Sequence, residues 1–213
     1  MLKSFFDKIN KFYILIIVIV FIVLVIVGGS YFLSNSISIK KTNGMIVEQY
    51  EKLNNVASED GKKYPRVDIS SYDNMKSISV EEVLEIFRNN KDAVIYFGYP
   101  TCLYCRTAIQ VLVDTAKNTE LDILYYLDVE KRFDKYDELL NVLGDNFILE
   151  ENGVKEVYSP LVIFVAKGQI VSYNKGTLFS QEDPYKELDR SQIEGLSEIY
   201  RYGIRDVVES MKK

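Results

Sequence analysis

Between Lys11 and Lys40 the chain carries no charged side chain, and residues 12–27 are apolar or aromatic without interruption. A helix of about 20 such residues crosses a hydrocarbon core of about 30 Å, and a helix apolar on every side has no polar face to turn to water. The run predicts a transmembrane helix over 12–33. Of the 26 basic and 31 acidic residues, only Lys3, Lys8, Lys11 and Asp7 precede residue 34, so the acidic excess behind the net charge of -5 lies entirely in residues 34–213. Three lysines before the run, against Lys40 and Lys41 after a gap, put residues 1–11 in the cytoplasm and residues 34–213 outside. Ser34 and Ser36 are small residues of the kind read at a cleavage site, so secretion after cleavage is the alternative to a single-pass anchor.

Residues 34–65 read as a linker holding a short amphipathic helix, with Ile46, Tyr50, Leu53 and Ala57 at helical spacing. Val67 and Ile69 alternate after Pro65 and predict a first strand. Ser79 and Glu82 have capping-box spacing ahead of Val83, Leu84 and Phe87. Residues 93–97 and 123–129 have the composition of strands, residues 101–118 and 135–143 that of helices. The stretch 144–156 reads as a polar connection. Residues 161–165 and 170–173, split by 166–169, read as a hairpin. Ser191 and Glu194 form a second capping-box pair before an amphipathic terminal helix through Leu196, Tyr200, Ile204 and Val207. The order strand, helix, strand, helix, strand, helix, hairpin, helix belongs to the α/β class.

Composition narrows the chemistry. With no histidine, the chain has neither Ser-His nor Cys-His nucleophile pairs, nor a His-ligated zinc or haem. An acidic balance with no Lys/Arg-rich run argues against a nucleic-acid partner. Both cysteines fall in one C-x-x-C, Cys102 and Cys105, where a buried strand turns into a helix. The unpaired N–H groups and dipole of a helix start favour a negative charge, which raises the thiolate fraction that attacks disulfides. Cys102 is the expected attacker, and Cys105, one turn on, the residue that resolves a mixed disulfide. Thr101, Leu103 and Tyr104 shape the helix start and the acidity of the thiol. Arg106 either adds positive potential or is a solvated helix arginine. Three other readings compete: a structural disulfide, which gains little from so short a loop; a metal site, which needs a second chain for four ligands; and two inert thiols.

These pieces together resemble the thioredoxin superfamily over residues 66–213: AVIYFGYPTCLYC at 93–105, ILYYLDV at 123–129 and SPLVIFVAKGQIV at 159–171. Within it, the turn ending in Cys105 and Arg106 and the strand through Tyr125, Tyr126, Leu127 and Asp128 are most similar to the bacteriocin transport accessory proteins. The resemblance implies a thioredoxin-like fold, a central mixed sheet flanked by helices, and a cis Ser159-Pro160 peptide facing the cysteines, where the Ser159 backbone receives an incoming peptide. It also implies departures. Tyr96 stands where thioredoxins carry a buried carboxylate and Tyr126 where they carry a lysine, which leaves Asp128 or Glu130 as candidate bases acting through water.

The expected activity is that of a membrane-anchored, extracytoplasmic thiol-disulfide oxidoreductase needing no cofactor and no metal. Its expected partners are exported proteins with thiols or disulfides and a membrane redox protein that recharges the pair. The rival from another class is a non-catalytic accessory module whose groove at Ser159-Pro160 binds an exported peptide or a membrane complex. A third reading, action on small thiols, lacks a recognisable tripeptide site.

Overall fold

The computed structural model describes residues 2–130, 132–178 and 180–213, which fall into two units, Met1–Ser38 and Ile39–Lys213. Helix α1 spans Leu2–Glu51. Among the described residues, its apolar part is long and apolar enough to cross a membrane, and no side chain of that stretch is buried in protein. Large side chains such as Ile17 and Phe21 stand about two-thirds exposed, at 66% and 67%. Such a surface suits hydrocarbon and not water.

The expected linker over 34–65 differs from what forms. The helix does not stop at Leu33 but runs on to Glu51. Serine and asparagine lower helix propensity by only tenths of a kcal/mol per residue, and no proline breaks the segment. Burial of Ile46 and Tyr50 then holds its last turns in the core of the second unit. The expected strand at Val67 and Ile69 is also displaced. Both side chains are buried, but their backbone N–H groups are taken by side chains: Val67 donates to Asn54 Oδ1, Asp68 to Gln110 Oε1, and Ile69 to Glu51 Oε1. Residues 52–72 thus form a strap, and the first strand, β1, comes later at Met75–Ser77.

From there the order is α2 (Val80–Arg88), β2 (Ala93–Gly98), α3 (Leu103–Ala116), β3 (Leu124–Asp128), α4 (Tyr136–Leu143), β4 (Ile148–Glu151), β5 (Val154–Val157), β6 (Leu161–Ala166), β7 (Gln169–Lys175) and α5 (Arg190–Met211). Five strands make one mixed sheet in the order β1-β3-β2-β6-β7, with β1, β3 and β2 parallel and β6 and β7 antiparallel. The sheet is flanked by helices on both faces. Every residue of β2 is buried. Val94 and Tyr96 point into a core shared with α3, α5 and the end of α1, while Ile95 and Phe97 point into one shared with α2 and α4. A strand covered on both faces reads as a continuous apolar run, which is what residues 93–97 show. The outer edge of β1 is closed by α1, whose Asn43 Oδ1 accepts the Met75 N–H at 3.3 Å.

The Ser79–Glu82 capping box forms as expected. The second one is shifted: α5 is capped by Asp189 with Gln192, and Ser191 lies inside the first turn. Asp189 holds extended backbone angles, so its carboxylate reaches the Gln192 N–H at 2.8 Å. The connection at 144–156 is largely a hairpin, β4 paired with β5. Its turn, Asn152-Gly153, has φ of 54° and 79°, the two positive values that a tight hairpin turn of this kind requires.

Candidate active site at the cysteine pair

Strand β2 delivers the chain to the site. It ends at Gly98, whose missing side chain leaves room for Tyr96: a Cβ there would sit 2.6 Å from the Tyr96 hydroxyl. Tyr96 uses that room to donate its O–H to the Cys105 carbonyl at 2.8 Å. The phenol therefore pins the first turn of α3 from beneath.

Cys102 is the N-cap of α3, with extended backbone (φ -73°, ψ 117°), and its Sγ accepts the Cys105 N–H at 3.1 Å. A sulfur thus fills the place that a serine or aspartate oxygen normally takes, and any negative charge on it meets an N–H aimed at it. The two cysteines are joined as a disulfide with Cα atoms 5.1 Å apart. Cys102 is partly exposed and Cys105 fully enclosed. The reachable sulfur is the one at the cap.

The neighbouring strand brings the second element. Phe97 of β2 pairs with Leu161 of β6 in antiparallel register, so the residues just before Leu161 lie beside the end of β2. These are Ser159 and Pro160, joined by a cis peptide bond. Tyr104 of the cysteine loop and Tyr158, Ser159, Pro160, Lys175 and Gln181 line an open depression of about 360 Å³. The sequence-derived residues Tyr104, Ser159 and Pro160 therefore share one depression, and Cys102 and Cys105 belong to the same helix start as Tyr104. Leu103 lies half-buried in the first turn of α3, and Thr101 turns away to donate to Glu130 Oε1 at 2.7 Å, tying the loop to the end of β3.

Arg106 is not the solvated helix arginine. It is completely enclosed. Its Nε donates to the Pro65 carbonyl at 2.7 Å, its Nη1 to the Tyr50 and Pro100 carbonyls at 2.9 and 3.2 Å, and its Nη2 to Asn54 Oδ1 at 2.8 Å. The rings of Tyr50 and Tyr64 lie 5.9 and 5.5 Å away. Among the described residues it makes no ion pair. A buried charge is tolerated where hydrogen bonds replace its water, and one of these acceptors, Tyr50, lies in the last turn of α1, where the helix dipole is negative.

Behind the disulfide the core is phenolic. Tyr96 and Tyr126 stack at 6.0 Å, and Tyr50 meets Tyr126 edge-on at 6.1 Å. Burial first, then neighbouring phenols and Asp128, pushes Tyr50 and Tyr126 well above their usual pKa; burial and neighbouring phenols do the same to Tyr96. A phenol so hard to ionise, whose proton is committed to the Cys105 carbonyl, acts as a fixed donor and not as a base. Tyr99, in the turn, is raised by partial burial and then by Glu130, Glu156 and Asp128. Glu130 and Asp128 are linked, the Glu130 N–H donating to Asp128 Oδ1 at 3.0 Å.

Sequence reasoning does not find Asn54, Pro65 and Tyr50, because the atoms that matter there are carbonyls and one amide far away in the chain. Among the described residues no group of three or more metal-ligating side chains is gathered. No protein-family model matches the chain, and no curated protein matches it.

Proposed function

We propose that the protein is a membrane-anchored thiol-disulfide oxidoreductase of thioredoxin-like fold, its domain facing away from the cytoplasm and acting on the thiols or disulfides of exported proteins. The observation that carries this reading is the asymmetry of the pair, a partly exposed Cys102 sulfur at a helix N-cap and an enclosed Cys105 one turn on. In the reductive direction the Cys102 thiolate attacks one sulfur of a partner disulfide. A Cys102–partner bond forms and the other partner sulfur leaves as a thiolate, which takes up a proton. The Cys105 thiolate then attacks Cys102, releasing the second partner sulfur and closing the Cys102–Cys105 bond. The partner gains two electrons and the pair loses two. Oxidation of a partner dithiol reverses the sequence.

Two further features support the reading. The depression at Tyr104, Ser159 and Pro160 opens at the first turn of α3, and its polar lining suits peptide groups. The charge-free run beyond Lys11, preceded by three lysines, suits an anchor with an external domain.

The test is trapping. A Cys105→Ser chain lacks the resolving thiol, so the expected result is a covalent Cys102–partner adduct, released by dithiothreitol and absent from the Cys102→Ala chain. If no adduct forms under reducing or oxidising poise, and insulin reduction by the parent protein does not depend on Cys102, the reading is wrong.

A further inference from the structure

The turn that carries Cys102 hangs from a cation that, among the described residues, no carboxylate pairs with. Arg106 follows Cys102 by four residues, and its N–H donates to the Cys102 carbonyl at 3.1 Å, so the two share one side of the first turn of α3. The guanidinium Nη1 holds the Pro100 carbonyl, two residues before Cys102, and the Tyr50 carbonyl at the end of α1. Nη2 holds Asn54 Oδ1, which also accepts the Val67 N–H at 2.8 Å, and Asn54 Nδ2 donates back to the Val67 carbonyl at 2.7 Å. The strap over 52–72 therefore closes on itself at Asn54 and on the active-site turn through one guanidinium.

The charges around Cys102 give this cation its weight. From the end of β3 come Asp128 and Glu130, and from β5 comes Glu156; all three act on Tyr99 in the turn. Tyr104 stands in the first turn of α3, while Tyr50 of α1 and Tyr64 of the strap face the guanidinium with their rings. Glu130, which accepts from the Thr101 hydroxyl at 2.7 Å beside Cys102, and Asp128, linked to it, disfavour a thiolate. Opposing them are the helix start and Arg106. A charge held away from water acts about four times more strongly than the same charge in water, taking an effective dielectric of about 20 against about 80. Enclosure by the strap keeps Arg106 in the stronger regime.

We infer that Arg106 is a positioning residue for the Cys102 thiolate, and that the strap, through Asn54, sets how strongly it acts. The inference rests on the redox reading of the pair but not on any particular partner. If the strap lifts, water screens the cation and frees the Pro100 carbonyl together, and Cys102 becomes less reactive.

The test uses the reduced full-length chain in detergent micelles on a Cys105→Ser background, so that Cys102 alone reacts. The readout is the rate of iodoacetamide alkylation against pH. Asn54→Asp hands the guanidinium a carboxylate and should move the profile up by about one pH unit, slowing alkylation about tenfold at pH values below the parent's midpoint. Arg106→Lys keeps the charge type but cannot span both carbonyls and Asn54, and should move the profile in the same direction. Profiles that superimpose on the parent's, with near-ultraviolet circular dichroism unchanged, overturn the inference. Should Asn54→Asp lose that dichroism, the Arg106→Lys profile decides alone. The alkylation profile is independent of exchange with proteins, so a Cys102 that traps no partner refutes the oxidoreductase reading without touching this result.

Discussion

Tyr96 and Tyr126 occupy adjacent strands of one core, stack on each other, and differ in one respect: the Tyr96 hydroxyl has a partner and the Tyr126 hydroxyl, buried, has none among the described residues. Removing each hydroxyl should therefore have opposite consequences. Tyr96→Phe deletes a bond to the Cys105 carbonyl at 2.8 Å. A buried neutral hydrogen bond contributes about 1 kcal/mol net, and the carbonyl lies in a helix where it keeps its backbone acceptor role, so the expected loss is about 1 kcal/mol. Tyr126→Phe deletes a buried hydroxyl that makes no hydrogen bond of good geometry, only a loose approach to Tyr50, so the desolvation cost of about 1–3 kcal/mol is poorly offset and the domain should be equally or more stable without it. For a unit of this size about 1 kcal/mol moves the melting midpoint by about 2–4 °C. The assay is thermal unfolding of both full-length variants in the same detergent, followed by near-ultraviolet circular dichroism, with insulin reduction measured in parallel. Tyr96→Phe should melt lower than the parent and Tyr126→Phe no lower, and both should retain the Cys102 chemistry. The reasoning fails if both variants lose the same stability, which would mean that the Tyr126 hydroxyl is bonded. It also fails if Tyr96→Phe loses activity by orders of magnitude at unchanged stability, which would make that phenol a proton carrier.

The same phenols set a limit at high pH. Burial raises Tyr50, Tyr96, Tyr126 and Tyr200 in the folded chain, whereas in the unfolded chain each ionises near pH 10. The unfolded state then holds fewer protons, so stability present below about pH 10 falls above it by up to about 1.4 kcal/mol per pH unit for each phenol. Absorbance at 295 nm should show exposed tyrosines titrating reversibly and the buried ones appearing only with cooperative unfolding; a smooth titration of all of them would contradict the enclosure. A second contrast lies in α5. A Cβ on Gly203 would stand 2.4 Å from the Phe164 ring, whereas one on Gly195 meets only Leu178 at 3.5 Å. Gly203→Ala should cost about 1–3 kcal/mol by overpacking, and Gly195→Ala should be neutral or stabilising by up to about 1 kcal/mol, read from urea midpoints.

What the sequence made legible was local. Cys102 and Cys105 at a strand-to-helix turn, the Ser79 cap and the apolar strands each depend on neighbours a few residues away, and each formed where expected. Arg106 is ambiguous in the sequence because its surroundings come from Pro65, Asn54 and Tyr50, which lie 41 to 56 residues distant in the chain. The alternation of Val67 and Ile69 does report burial. It cannot report that Asn54, Gln110 and Glu51 take the backbone N–H groups in place of a strand. Asn152-Gly153 is a hairpin signal masked by the polar stretch around it. At α5 two capping candidates lie two residues apart, and backbone angles at Asp189 decide between them.

The Arg106 clamp also draws a border for protein engineering. Leu103 and Tyr104 lie between the cysteines and can be exchanged for another dipeptide without disturbing a guanidinium bond. A transplanted motif that ends at Cys105 therefore keeps the host's Arg106 and all of its bonds. One that extends a single residue further strips three backbone carbonyls and Asn54 of their common donor. The interchangeable cassette stops between Cys105 and Arg106, and from there on the chain belongs to the host.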